Sequence, residues 1–238
     1  MEIIGRTDIG RVRKNNEDYI ACDESKAIAV LADGMGGLDA GEVASQTAVD
    51  EIFAGLLALN EIAEDDVFAA ITAANEKVFT LAQSSGRTSN MGTTLVVWVR
   101  AERGQCFIAH VGDSRAYRLR NSKLTALTSD HSLVQQMVDQ GMISESEALV
   151  APNRNVVTRG IGLAAEVVAE VRSCLFSPED IFLLCSDGLS DMISDSRIAA
   201  ILEQHSADLE QAASELIAAA NHEGGGDNVS VVLIRPQD

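Results

Sequence analysis

Four apolar runs in this chain each carry an aspartate where the run meets a turn, and the four lie far apart in sequence. Asp33 closes the run Ala27 to Ala32 and precedes Gly34; Asp113 follows Cys106 to Gly112; Asp187 follows Ile181 to Ser186 and precedes Gly188. Asp227 stands just ahead of Asn228 and the run Val229 to Ile234. Runs of this length, rich in β-branched and aromatic residues, read as buried strands, so each carboxylate is delivered to a strand end. Taken singly, an Asp-Gly pair after a strand is most often a turn. Four such aspartates on core strands point instead to a shared site. If the ends converge, each close pair of anions repels by about 4 kcal/mol at an effective dielectric of roughly 20, unless a cation lies between them. Oxygen ligands of this kind suit Mg²⁺, Mn²⁺ or Ca²⁺.

The 238 residues are 46% apolar, enough for a sizeable core. Prolines occur only at 152, 178 and 236, and no Gly/Ser-rich stretch interrupts the chain. A single domain over 1–238 is therefore expected. The net charge of −18 disfavours nucleic-acid backbones and anionic membranes as partners. Cys22, Cys106, Cys174 and Cys185 show no Cys-x-x-Cys spacing and mostly lie inside apolar runs, as reduced core thiols do. None has an arginine six positions on, which excludes a nucleophilic cysteine-x5-arginine loop, and structural zinc is not expected. The N-terminus lacks a basic head with an apolar signal core, and no uncharged stretch reaches transmembrane length, so a cytoplasmic location is expected.

Strands are read at Glu2 to Thr7, Tyr19 to Cys22 and Ala27 to Ala32. Helices follow at about Ala40 to Leu59, with Val43, Thr47, Phe53, Leu56 and Leu57 on one side, and at Asp65 to Gln83. The period then changes to two through Thr93 to Val99, Gly104 to Val111, Arg115 to Arg120 and Lys123 to Leu127. Ser129-Asp130 caps a short helix through Gln140, and Ser144 with Glu147 makes a capping box. The stretch 141–162 is irregular and long enough to be functional. Strands at Glu166 to Cys174 and Asp180 to Ser186, helices at Ser194 to Gln204 and Ala207 to His222, and a last strand complete the chain. Strands in two blocks separated by helices predict an α+β fold with largely antiparallel sheets.

Six motifs stand in one order: Arg13-Lys14-Asn15-Asn16-Glu17-Asp18, Asp33-Gly34-Met35-Gly36-Gly37, Gly92-Thr93-Thr94, Gly112-Asp113-Ser114-Arg115, Ser186-Asp187-Gly188-Leu189-Ser190-Asp191 and Gly226-Asp227-Asn228-Val229. In this order they resemble the metal-dependent protein phosphatases of type 2C, in their bacterial stand-alone form, over about residues 5 to 234. The resemblance implies a four-layer αββα sandwich, two mainly antiparallel sheets flanked by helices. It also implies hydrolysis of phosphoserine and phosphothreonine in proteins by a metal-activated water. Two Mn²⁺ or Mg²⁺ ions would lie at one edge of the sandwich, with Asp33 bridging them and the Gly34 carbonyl on one. Asp187 and Asp227 would hold the other ion, and Asp18 would act through a bound water. Asp113 would hold a third, weaker ion shared with Asp187. Arg13 would bind the phosphate oxygens, which its planar fork suits, with Glu17 and Asn228 in support.

The chain departs from relatives that carry a histidine as candidate general acid, because Met35 and Leu38 stand at the two positions where one occurs. Protonation of the leaving oxygen would then fall to water on the Asp113 ion. His110, His131, His205 and His222 read as structural. Asn221-His222-Glu223 mimics part of a calcineurin-like motif, but position 35 lacks the histidine that family needs, and the triplet reads as a helix end running into Gly224-Gly225-Gly226. The non-enzymatic alternative is a pseudophosphatase that binds phosphoproteins. The partners implied are phosphoprotein substrates and a cognate serine/threonine kinase, with the protein acting as a monomer and 141–162 as the flap that meets them.

Overall fold

The computed structural model describes residues 1–36, 40–84, 91–102, 104–148 and 150–237. Gly37 and Leu38 of the glycine-rich turn, and Leu149 of the expected flap, lie outside these. Along the chain run β1 (Glu2–Asp8), β2 (Asp18–Asp23), β3 (Ile28–Met35), α1 (Ala40–Leu57), α2 (Glu64–Ser84), β4 (Gly92–Thr93), β5 (Leu95–Arg100), β6 (Gln105–Val111), β7 (Arg115–Arg120) and β8 (Lys123–Ala126). There follow α3 (Leu133–Asp139), α4 (Glu145–Ala148), β9 (Glu170–Leu175), β10 (Ile181–Cys185), α5 (Asp187–Ser190), α6 (Asp195–Gln204), α7 (Leu209–His222) and β11 (Val229–Arg235). No helix among the described residues is long and apolar enough to cross a membrane.

The strands pair antiparallel in two sheets, one in the order β1-β11-β10-β7-β8 and the other β2-β3-β5-β6-β9, with β4 beside β3. Period two explains why their sequences are apolar throughout. In β3, Ile28, Val30 and Ala32 face α1 and α2, whereas Ala29 and Leu31 face the other sheet. In β11, Val229, Val231 and Leu233 pack under α5, α6 and α7, whereas Val232 and Ile234 point between the sheets with Trp98 and Phe182. A strand covered on both faces has no polar side to show. Three apolar layers thus separate four layers of secondary structure, and the αββα sandwich is the fold. Each fully buried large side chain in them contributes about 1.5–3 kcal/mol relative to exposure.

Several elements depart from the sequence reading. The short helix is capped by Ser132, whose Oγ accepts from the Gln135 N–H, and not by Ser129-Asp130. Asp130 is already committed, accepting two hydrogen bonds from Arg115 at 2.8 and 2.7 Å. The buried face of α1 is Ala40, Gly41, Ala44, Ser45, Ala48, Val49, Ile52 and Leu56, while Val43 is 45% exposed. Small residues win because α1 lies against the β3 backbone: a Cβ at Gly34 would stand 2.1 Å from the Gly41 carbonyl oxygen. The strand expected from Glu166 begins at Glu170, and α5, absent from the reading, begins at Asp187 itself.

Candidate active site

The two sheets meet at one end, and each brings acids to it. Asp18 and Asp33 are register partners across β2 and β3, which places both side chains on the same face. Asp33 is fixed by its backbone: its N–H donates to Thr94 Oγ1 at 2.9 Å, and its carbonyl accepts from the Thr94 N–H and the Thr93 hydroxyl, each at 2.8 Å. It lies within β3, not at its end, because β4 prolongs the pairing to Met35. Asp187 and Asp227 come from the other sheet. Gly188 behind Asp187 has no room for a side chain, since a Cβ would lie 1.9 Å from the Asn228 carbonyl oxygen.

Ser186 joins the two pairs. Its hydroxyl donates to Asp18 Oδ2 at 2.9 Å and accepts from the Ser230 N–H at 3.0 Å, although it caps no helix bond at the start of α5. Asn228 organises the segment before β2: its Oδ1 accepts from the Glu17 N–H at 2.8 Å and its Nδ2 donates to the Ile9 and Asn15 carbonyls. The Glu17 carbonyl in turn accepts from the Gly34 N–H and the Ser45 hydroxyl. The Glu17 carboxylate lies beside Gly41 at the start of α1. Arg13 is half exposed at the rim, donating from Nη2 to Asp227 Oδ2 at 2.6 Å.

Asp113 follows Gly112, whose φ of +107° glycine adopts without strain. The loop is held by His131, which donates its N–H to the Gly112 carbonyl at 2.9 Å and accepts the Gly112 N–H on Nδ1 at 3.2 Å. A cavity of about 560 Å³ opens beside Asp113 and Asp187, lined also by Arg115, Arg154 and Asp191. Arg154 belongs to 141–162, whose return limb is stitched to the site. The Thr158 N–H donates to the His131 carbonyl, and Ile161 exchanges both backbone hydrogen bonds with Thr93.

Electrostatics identify what this cluster needs. Burial, then the charges of Asp18, Asp187, Asp113 and Asp227, push the Asp33 carboxyl well above the usual range. Burial lifts Asp18 to about 7, with Asp187 and Asp227 adding to it against the Ser230 and Ser186 hydrogen bonds. Asp113 rises to about 7, from burial and then Asp187, and Asp187 to about 6, from burial and then Asp227. Asp18 Oδ1 and Asp187 Oδ1 are buried without a hydrogen-bond partner among the described residues. Buried anionic oxygens with unused lone pairs are what a hard divalent cation fits.

A second set of metal-type donors, His110, His131 and Glu170, has its ligand atoms all within 4.8 Å of one another. Its atoms are already committed. His131 Nδ1 accepts from Gly112, so its proton sits on Nε2, 3.1 Å from Glu170 Oε1; His110 Nε2 donates to the Ser129 carbonyl at 2.8 Å. Burial lowers both imidazoles, which keeps them neutral. Arg159 adds a 3.4 Å ion pair to Glu170. The set is a polar staple between β6, β9 and the return limb of 141–162. Sequence reasoning missed this staple and the work of Ser186, although the motif carrying Ser186 was in view.

A sandwich of this topology with five carboxylates at its sheet junction is a metal-dependent phosphohydrolase. The chain belongs to the protein phosphatase 2C family, whose model matches residues 7–223. It is 39% identical to the serine/threonine phosphatase stp of Listeria monocytogenes, over 96% of this chain and 93% of that one. The crystal structure of the Mycobacterium tuberculosis serine/threonine phosphatase PstP/Ppp superposes with a TM-score of 0.90 at 36% identity, covering 98% of this chain and 97% of that one. The catalytic domain of PstP in complex with two manganese ions does so with a TM-score of 0.87 at 35% identity, covering 98% and 96%.

Proposed function

We propose that this protein phosphatase removes phosphate from phosphoserine and phosphothreonine in proteins, with Asp18, Asp33, Gly34, Asp113, Asp187 and Asp227 as its metal-binding residues. The observation that carries this reading is the convergence of five aspartates from two sheets, with two carboxylate oxygens buried and unpartnered among the described residues. Mn²⁺ or Mg²⁺ bound there supplies the charge neutralisation and the hydroxide that a phosphomonoester otherwise lacks near neutral pH. Asp33, reached electrostatically by all four other aspartates, would be the central metal-holding carboxylate, with Asp187, Asp227 and Asp18 as the further ligands. Asp113, raised by burial and by the neighbouring charge of Asp187, would with Asp187 hold a further ion.

Arg13 binds the phosphate oxygens from the rim of the cleft, orienting phosphorus for in-line attack. Ser186, Asn228 and Glu17 position the carboxylates and do not touch substrate. Met35 approaches Gly160 at the end of the flap and offers no proton to a leaving group. Segment 141–162 is the flap, and the cavity between it and Asp187 receives the peptide around the phosphorylated residue. We take 1–238 as one catalytic domain acting as a monomer in the cytoplasm against a serine/threonine kinase of the same cell.

The test is hydrolysis of phosphoserine and phosphothreonine peptides with added Mn²⁺. Activity that depends on the metal and disappears in Asp187→Asn supports the enzyme. Metal binding without turnover would overturn it in favour of a phosphoprotein-binding pseudophosphatase.

A further inference from the structure

The four cysteines are free, but two of them face each other. Cys106 on β6 and Cys174 on β9 are register partners, and their sulfurs lie 3.2 Å apart. Directly opposed residues of antiparallel strands have Cα atoms roughly 4.5 or 5.5 Å apart, both inside the roughly 4.4–6.8 Å that a disulfide spans. The backbone therefore needs no rearrangement to accept the bond. We propose that Cys106 and Cys174 are a reversible dithiol–disulfide site, oxidised by hydroperoxides and reduced by low-molecular-weight thiols, that latches the edge strand β9 to β6.

The two thiols are unequal. Cys106 is fully buried, whereas Cys174 is partly exposed. The hydrogen bond from the Cys106 thiol lowers Cys174 against the effect of burial, and Arg118 and Arg172 lower it further; the same bond raises Cys106. Arg118 crosses from the facing sheet, with its Nε buried and unpartnered among the described residues and its Nη1 3.4 Å from the Leu175 carbonyl. Thiolate character belongs to Cys174, the accessible member, and the resolving thiol stands behind it. Cys22 and Cys185 differ, their thiols pushed up to about 12 by burial.

The Cys174 thiolate attacks the peroxide oxygen, forming S–O and breaking O–O, and with one proton taken up a water leaves. The Cys106 thiol then attacks the sulfenic sulfur, S–S forms, and a second water carries away the hydroxyl and the thiol proton. Two thiols and one hydrogen peroxide give one disulfide and two waters. Two small thiols reverse the bond, themselves becoming a disulfide.

Position decides the consequence. Cys106 lies five residues before Val111, about 17 Å along the strand at roughly 3.4 Å per residue, at the end of β6 remote from Asp113. Chemistry at the acidic cleft is therefore untouched. The bond closes a loop that contains Asp113, His131 and all of 141–162, and it ties down the strand whose other end holds Glu170 to His131. Closing a loop of this length constrains the unfolded chain strongly, so the melting temperature rises by about 5 °C or more.

The Mg²⁺-loaded full chain is treated with hydrogen peroxide, alkylated with iodoacetamide and analysed by intact and peptide mass. The expected result is loss of two hydrogens, a Cys106–Cys174 linked peptide that dithiothreitol reverses, the rise in melting temperature, and a p-nitrophenyl phosphate rate within twofold of the reduced protein. Alkylation of both cysteines after peroxide, oxygen addition without linkage, bonds between chains, or a bond that leaves the melting temperature unchanged would each overturn the proposal. Cys106→Ser should stop at a sulfenic acid on Cys174 that dimedone captures. Should that buried change prevent folding, Cys174→Ser at the edge strand must abolish the peroxide-dependent rise.

Discussion

At the scale of single residues, the acidic cleft separates side chains that carry chemistry from those that hold them. Asp33→Asn keeps shape but removes the charge that four other aspartates surround, and turnover should fall by roughly a thousandfold or more, about 4 kcal/mol of transition-state stabilisation. Asp113→Ala should behave differently: steady-state kinetics on phosphopeptides should slow while titration calorimetry still counts two Mn²⁺ ions per chain. Unchanged turnover in that variant would remove Asp113 from the reaction altogether. Ser186→Ala deletes the donor to Asp18 and the acceptor for the Ser230 N–H. A loss of about 1–3 kcal/mol in denaturant unfolding should follow.

At the scale of elements, segment 141–162 is tied down along its return limb. Its return limb bonds to His131 and Thr93, the latter also supporting Asp33, so this segment and Asp33 share an anchor. Arg154, on the outer part, reaches within 3.7 Å of Asp191 across the cavity. Arg154→Ala should raise KM for phosphopeptides by roughly three- to tenfold while leaving p-nitrophenyl phosphate hydrolysis nearly unchanged, since only the larger substrate spans the cavity. Equal effects on both substrates would place Arg154 in the chemistry instead. Gly162 is the stricter constraint: with φ at +82° and Val78 Cγ1 2.3 Å from any added Cβ, it lets the limb pass α2.

At the scale of the molecule, acids gathered in one cleft make stability depend on pH and metal together. Asp18 and Asp113 at about 7 and Asp187 at about 6 stand above the roughly 3.9 of an unfolded aspartate. Between those values the native state holds protons that the unfolded chain has released. Stability from these groups is therefore present at low pH and lost as pH rises through about 6 to 7. Calorimetry of the chelator-treated protein should show a melting temperature that falls from pH 5 to pH 8, and saturating Mn²⁺ should restore it at pH 8 by taking the place of those protons. A rise over the same range without metal would contradict the assignment.

The sequence by itself determined much of this. Uninterrupted apolar runs meeting turns at Asp33, Asp113, Asp187 and Asp227 foretold buried strands, because that signal is local in the chain, and the family resemblance carried by the motifs implied the αββα sandwich. Register, approach and pairing were decided only by the tertiary structure. The Ser186–Asp18 hydrogen bond spans 168 residues and the Cys106–Cys174 contact 68. No local pattern predicts that Arg115 draws Asp130 away from capping α3, or that α1 turns its smallest residues inward to clear Gly34. Hydrogen bonds and close packing act over a few ångströms, and which distant residues come that near is settled only when the sheets close.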